Sequence, residues 1–582
     1  MTGPGGRSWS IGVLLGVGCA ALGIVLLTRP FDSLSVLVAV VAVGAFLIGV
    51  GVFAEGRGEP RRWPDVAAGL LWISLGVVVM VWPDITVRSL ALVVGVALIV
   101  GGLLDVVAGL RGSTDERWAA VLSGLASAIF GVLAIGWPSV TLLVIAVVFG
   151  FRLVLFGVRT AWSSFTGRDG RARQAHDRRE IGRVRRFGHI LGAAVALMLA
   201  LGLAGLSAQL NRAAPVVDAF YDTPDELPDR PGELLDVEVF TRAIPEGARA
   251  WRIQYTTTQF DGEPAVASAL VVAPMAPTAD PLPAIALAHG TTGVDRTCAP
   301  SLLPDPFAAG AFFALDRVID EGWALVATDY IGLGTEGGHP YLVGEPAGRS
   351  VLDSVRAARA LDDIRLADET VVWGHSQGGG AALWTGGLAS TYAPDVGVIG
   401  VAALAPASDL IGLADNLNVV TAGSIFASYL LQGYASTYDD IDIDDYVRST
   451  ARVAFDATVG RCLAEPAALL SVIGSIALGE QMFSNELASG PLLDRLVENV
   501  PTLPIDAPLL IAQGEADQLV VVDVQAAFVE SRCSDGQPID FRTYPGLDHV
   551  PLVEADSPLI PELFDWTRSR LAGDEPTPTC GR

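Results

Sequence analysis

Gly374-His375-Ser376-Gln377-Gly378 sets a serine between two glycines, directly after the apolar run Thr370-Val371-Val372-Trp373 and before the helix-forming Gly378-Gly379-Gly380-Ala381-Ala382-Leu383-Trp384. A serine on a sharp strand-to-helix turn is held in a strained conformation. Small residues at Gly374 and Gly378 avoid collisions there, and the helix N-terminus favours developing negative charge. A hydroxyl is a weak nucleophile until an imidazole takes its proton, and an acid must hold that imidazole in one tautomer. Six histidines are present, and His549 is the only one beyond Ser376. The chain order serine, acid, histidine that accompanies such a turn selects His549 as the base. Asp517, on the stretch that follows the apolar Pro508-Leu509-Leu510-Ile511-Ala512, is the expected acid, with Glu515 and Asp548 as rivals. Asp548 adjoins the base, is poorly placed to reach its neighbour's ring, and reads better as a turn residue. Two backbone N–H groups must meet the developing oxyanion. Gln377 is expected to supply one, and Thr291, in Ala288-His289-Gly290-Thr291-Thr292-Gly293, the other, with His289 and Gly290 bracing that loop. Nothing in this chemistry asks for a metal or a cofactor, and none is expected.

The elements that must position these groups read as short buried strands alternating with helices. Residues 267–273, 283–288 and 323–328 are apolar runs of strand length, and 349–362 has a helical apolar period. That alternation indicates a mostly parallel sheet covered by helices. Between Ser376 and Asp517 lie 140 residues, more than two strand–helix units occupy, so an insertion near 408–500 is expected to form a helical cap that lines an acyl pocket.

The chain of 582 residues is too long for one core and divides sharply by charge. Before residue 208 there are 18 Arg and 11 acidic residues, net +7; from 208 onward 20 Arg and 53 acidic residues, net −33, summing to −26. So acidic a C-terminal part argues against nucleic acid as a partner. In the N-terminal part, apolar stretches long enough to cross a bilayer lie near 9–28, 34–54, 66–82, 89–109, 119–137, 140–158 and 188–207, seven expected spans. Segments 1–8, 55–64, 110–118 and 159–187 hold 1, 3, 2 and 9 Arg, against only Arg29 and Arg88 in the alternate turns. Arginine-rich loops stay on the cytoplasmic side, so the N-terminus is expected inside, in the plasma membrane, and everything after the seventh span outside.

An exported placement suits the cysteines. Cys298, Cys462, Cys533 and Cys580 are even in number, where disulfides persist. Three connectivities are open; Cys298 with Cys462 and Cys533 with Cys580 is favoured because nearer partners in the second half close smaller loops. Cys19 falls within the first span.

The expected organisation is a membrane repeat domain over 1–160, a basic cytoplasmic loop over 161–187, a seventh span at 188–207, a linker over 208–231 and a doubly covered α/β domain over 232–575. The membrane part is a threefold repeat: Gly23 and Pro30, Gly76 and Pro83, Gly131 and Pro138 are each seven apart, and second helices carry Gly44 and Gly51, Gly95 and Gly102, Gly150 and Gly157. Small residues on one helix face permit close packing in lipid and offer a surface for homo-oligomers. Asp105 and Arg152 are charges within spans, readable as a structural pair or, less simply, as a pathway. Over residues 9–160 this pattern resembles the HdeD-type acid-resistance membrane family.

His289-Gly-Thr-Thr-Gly293 followed by Cys298-Ala-Pro-Ser301, Asp329-Tyr-Ile-Gly-Leu-Gly-Thr335 with His339-Pro-Tyr-Leu342, and Gly374-His-Ser-Gln-Gly378 resemble the secretory lipase family of α/β-hydrolases, fungal and actinobacterial in type, across roughly 215–575. The resemblance implies hydrolysis of carboxylic esters, often acyl glycerols or other lipid esters, by Ser376, Asp517 and His549 without a cofactor. The membrane body is a departure from ordinary secreted members. Alternatives are a peptidase or transacylase using the same residues, or a membrane stress-response or transport protein with an accessory hydrolase.

Overall fold

A computed structural model describes residues 83–111, 117–138, 180–212 and 214–580 except 225, 276–279, 418, 479–481 and 485, with isolated positions elsewhere in the first 162 residues. The expected spans at 9–28, 34–54, 66–82 and 140–158, with Cys19, Gly23, Pro30, Gly44, Gly51, Gly76, Gly150, Arg152 and Gly157, lie largely or wholly outside the described residues. The chain divides into two compact units. One is formed mainly by residues up to Arg212, and the other by most of the chain from Ala213 onward.

In the first unit, three described helices are long and apolar enough to cross a membrane: α1 (Pro83–Arg111), α2 (Arg117–Gly136) and α3 (Glu180–Arg212). The seven-residue glycine spacing acts here as a packing surface. A β carbon on Gly102 would fall on the carbonyl oxygen of Gly124, and one on Gly95 would lie 2.9 Å from that of Gly131. Any larger side chain would push α1 and α2 apart, so van der Waals contact of the two backbones holds this antiparallel pair. Trp137 Nε1 donates to Ser207 Oγ at 2.9 Å, tying the end of α2 to α3. Two boundaries differ from the sequence expectation. Pro83, ahead of the expected span at 89–109, opens α1, as suits a residue whose missing N–H is unneeded in a first turn. Helix α3 begins at Glu180, within the stretch read as a basic loop, because arginine is a good helix former and its charge does not end a helix.

The second unit is built on a nine-stranded sheet: β1 (Leu234–Phe240), β2 (Ala248–Thr258), β3 (Pro264–Pro274), β4 (Leu282–Ala288), β5 (Ala324–Thr328), β6 (Leu366–His375), β7 (Val398–Leu404), β8 (Leu509–Gly514) and β9 (Ile539–Tyr544). The order is β1-β2-β3-β5-β4-β6-β7-β8-β9. The first three strands run antiparallel to their neighbours, and β5 onward form a parallel sheet. Strands β4, β5, β7 and β8 read as continuous apolar runs because both faces are covered. Helices α4 (Gly344–Ala358) and α5 (Gln377–Tyr392) pack on one face, with Val351, Val355, Ala382 and Leu388 meeting Ala286, Val326 and Val372 in one core. On the other face Trp323, Trp373, Phe564 and Leu563 fill a second core.

Between β7 and β8 the chain leaves the sheet and forms helices, among them α6 (Leu410–Asn416), α7 (Gly423–Ala435), α8 (Ala468–Leu478) and α9 (Gly490–Glu498). After them come α10 (Val522–Ser534) and α11 (Leu559–Leu571). Cys298 is bonded to Cys462, linking the loop after β4 to this helical insertion, and Cys533 to Cys580, linking α10 to the C-terminal tail. The stretch read as a linker is partly docked: Phe220 and Tyr221 are buried in a small cluster around that first disulfide. Tyr221 shares a hydrogen bond with Ser301 at 2.7 Å, and the Arg252 guanidinium lies 4.3 Å from the Phe220 ring centroid.

Candidate active site

Parallel sheets present their functional side chains at the carboxyl ends of the strands, and β4, β6 and β8 end in the residues singled out above. Strand β6 ends at His375, α5 starts at Gln377, and Ser376 lies between them at φ 60°, ψ −121°. That conformation is costly for any residue with a side chain, and the surroundings enforce it. A β carbon on Gly374 would strike the carbonyl of Gly378, and one on Gly378 the carbonyl of Ala288. Both positions tolerate only glycine because β4, β6 and α5 converge there.

His549, on the loop after β9, comes back over this turn. Its Nε2 lies 2.8 Å from Ser376 Oγ and its Nδ1 2.7 Å from Asp517 Oδ2. Asp517, on the loop after β8, is buried, and its carboxylate is well provided with donors. Oδ1 accepts from the backbone N–H groups of Leu519 and Val520 at 2.9 and 2.8 Å, and Oδ2 from Gln513 Nε2 at 2.9 Å. Fixed in this way, the carboxylate accepts from Nδ1–H and leaves Nε2 as the ring's acceptor facing the hydroxyl. The two rivals lie elsewhere. Asp548 accepts from the N–H groups of His549 and Gln518, a turn role, and Glu515 accepts from Thr543 Oγ1 at 2.8 Å.

Gln377 is the first residue of α5, where the helix gives its N–H no partner. The loop His289-Gly290-Thr291 follows β4 alongside. His289 is buried, its Nδ1–H donating to the carbonyl of Gly290 at 2.6 Å, and burial holds its pKa down to about 4, so it is neutral. Gly290 N–H donates to the carbonyl of Gly310 at 2.9 Å.

Three contacts were not read from the sequence. His375 Nε2–H donates to the backbone carbonyl of His549 at 3.0 Å, and the two rings lie 4.7 Å apart, so the residue before the serine fastens the loop that carries the imidazole. Burial pushes its pKa well below the ordinary histidine value, keeping it neutral beside its neighbour. The other two are side-chain partners of Gln377 and Thr291: His339 and Tyr341. A narrow cleft reaches Ser376 between Tyr341, Leu413, Leu417, Phe426, Leu519 and Val520, so α6 and α7 of the insertion close over the hydroxyl. Among the described residues no cluster of His, Cys, Asp or Glu could hold a metal ion.

A parallel-centred sheet with a serine on the turn after β6, a carboxylate after β8 and a histidine after β9 defines an α/β-hydrolase. Residues 311–579 match the family model of secretory lipases. This domain is a carboxylic ester hydrolase, and residues 14–71, 67–135 and 122–176 match three copies of a short repeat of unknown function, DUF308. The chain is 28% identical over 410 residues to the secreted triacylglycerol lipase LIP4 of Malassezia globosa, covering 65% of this chain and 86% of that protein. It is 24% identical over 424 residues to lipase A of Moesziomyces aphidis, covering 67% and 88%. Candida antarctica lipase A in its closed state superposes with a TM-score of 0.52 at 21% identity, over 63% of this chain and 90% of that one, a likeness of fold.

Proposed function

We propose that this chain is a membrane-anchored, outward-facing serine hydrolase that cleaves lipid esters through Ser376, His549 and Asp517. The observation that carries the reading is the continuous hydrogen-bonded series from Ser376 Oγ through the His549 ring to the Asp517 carboxylate. Ser376 Oγ attacks the ester carbonyl carbon while His549 Nε2 takes its proton. The negative oxygen rests on the N–H groups of Gln377 and Thr291. Collapse expels the alcohol, which leaves with the proton from His549, and an acyl group remains on Ser376. Water then gives a proton to His549 and its oxygen to the acyl carbon, releasing the acid and restoring the serine.

The apolar cleft under α6 and α7 favours an acyl chain, and acyl glycerols are the substrate class named for the Malassezia globosa relative. Seven spans with an inner N-terminus and an outer hydrolase domain, the arrangement inferred from the arginine distribution, are supported by three apolar helices and two disulfides. The organisation into repeat domain, basic segment, seventh helix, short linker and capped hydrolase domain is part of the same reading. Ser376→Ala is expected to abolish turnover of short p-nitrophenyl esters with expression and membrane insertion unchanged; retained turnover would remove Ser376 from this role.

A further inference from the structure

His339 and Tyr341 stand two residues apart on the loop between β5 and α4, and each reaches one of the two proposed oxyanion donors. His339 is buried. Its Nδ1–H donates to the carbonyl of Ile331 at 2.9 Å, which leaves Nε2 as an acceptor, and Gln377 Nε2 donates to it at 3.0 Å. That chain of donors fixes the Gln377 amide: the nitrogen must face His339. Burial holds the His339 pKa down to about 3, so the acceptor stays unprotonated. Tyr341 is buried too, and its hydroxyl meets Thr291 Oγ1 at 2.8 Å.

The loop is itself held from both sides. Beneath it, Tyr330 lies between two histidines, its ring 5.8 Å from that of His339 and 4.5 Å from that of His289, and its hydroxyl donates to the His289 carbonyl at 3.2 Å. Above it, Tyr434 of α7 donates to the Leu342 carbonyl at 3.2 Å, and the Tyr429 ring meets that of Tyr341 edge-on at 6.2 Å. Gly433 leaves no room for a side chain, because a β carbon there would lie 2.7 Å from the Tyr341 nitrogen. Leu342 sits at φ 60°, a left-handed conformation that this packing imposes.

We propose that His339 and Tyr341 are positioning residues of the oxyanion hole, one setting Gln377 and the other Thr291, and that their loop is the contact by which the helical insertion fixes both donors. This rests on the reading of Ser376 and its two N–H donors given above. Such donors stabilise an oxyanion only if they are aimed before the charge develops. Neither side chain touches the reacting atoms, so their loss misaims the donors and leaves the chemistry otherwise in place.

The test uses full-length protein in detergent, with active sites counted by fluorophosphonate titration. Tyr341→Phe keeps the ring and removes one hydroxyl, Thr291→Val keeps the backbone N–H, and Gln377→Met keeps the length of the side chain. Each is expected to lower kcat for a short ester about tenfold, a tenth or less of what loss of a whole donor costs, with KM changed less than about twofold. Affinity for a trifluoromethyl ketone, whose adduct with Ser376 places a negative oxygen in the hole, falls by the same factor as kcat/KM. Tyr341→Phe with Thr291→Val loses no more than the worse single variant. Wild-type kcat per titrated site in Tyr341→Phe, losses that multiply in the double variant, or unchanged ketone affinity would each overturn the proposal. Ser376→Ala run in parallel separates the two levels: if it is silent while Tyr341→Phe is unimpaired, only the positioning role falls, and if it turns over ester, the underlying reading falls with it.

Discussion

Asp517 shows how a residue's role depends on what surrounds it. Its three donors leave the carboxylate immobile, so it can hold His549 in the tautomer whose Nε2 faces Ser376. Asp517→Asn would present an amide that favours the wrong tautomer, and kcat is expected to fall about 10³- to 10⁴-fold with the fold intact, checked by ester turnover and circular dichroism. A loss under about tenfold would shift the role to another group. At this scale the sequence was informative where elimination applied. One histidine follows Ser376, whereas three carboxylates, Asp517, Glu515 and Asp548, remained in contention for the acid. The His339–Gln377 and Tyr341–Thr291 contacts were not legible, since they join residues 38 and 50 apart through loops whose paths no local pattern specifies. His375 was read only as a residue preceding the serine; its hydrogen bond to a carbonyl 174 positions away depends on how the β9 loop returns.

Among elements, β3, β4, β5, β6 and β8 announced themselves as apolar runs, and β1 and β2 did not. Strands β4 and β5 are continuous apolar runs, whereas β1 carries Asp236 and Glu238 on an exposed edge and β2 mixes Arg249, Arg252 and Gln254 with three threonines. A half-solvated strand with charges and no strict alternation gives a weak period-two signal. The glycine spacing in α1 and α2 was legible as a packing device because van der Waals contact in lipid demands small residues at fixed intervals. The disulfide between Cys298 and Cys462 makes the helical insertion an extension of the β4 loop rather than a free lid, and the Leu463 N–H adds a 2.8 Å bond to the Thr292 carbonyl. Replacing both cysteines by serine is expected to cost about 2–5 kcal/mol of domain stability, read as a lower midpoint of thermal unfolding. An unchanged midpoint would mean that the insertion is secured without the bond.

At the scale of the whole molecule, the chain pairs a glycine-packed helical repeat with a carboxylic ester hydrolase domain. Charge marks the division, +7 before residue 208 and −33 after it. Phe220 and Tyr221 are docked in the second unit, with seven residues between Arg212, the end of α3, and Phe220.

The most direct test of the account is labelling of intact cells with a membrane-impermeant fluorophosphonate, followed by mass analysis of the modified peptide. The expected result is a single adduct on Ser376 that is absent from Ser376→Ala and strongly slowed in His549→Ala. An adduct that forms only after the cells are broken, or that persists in Ser376→Ala, would contradict it.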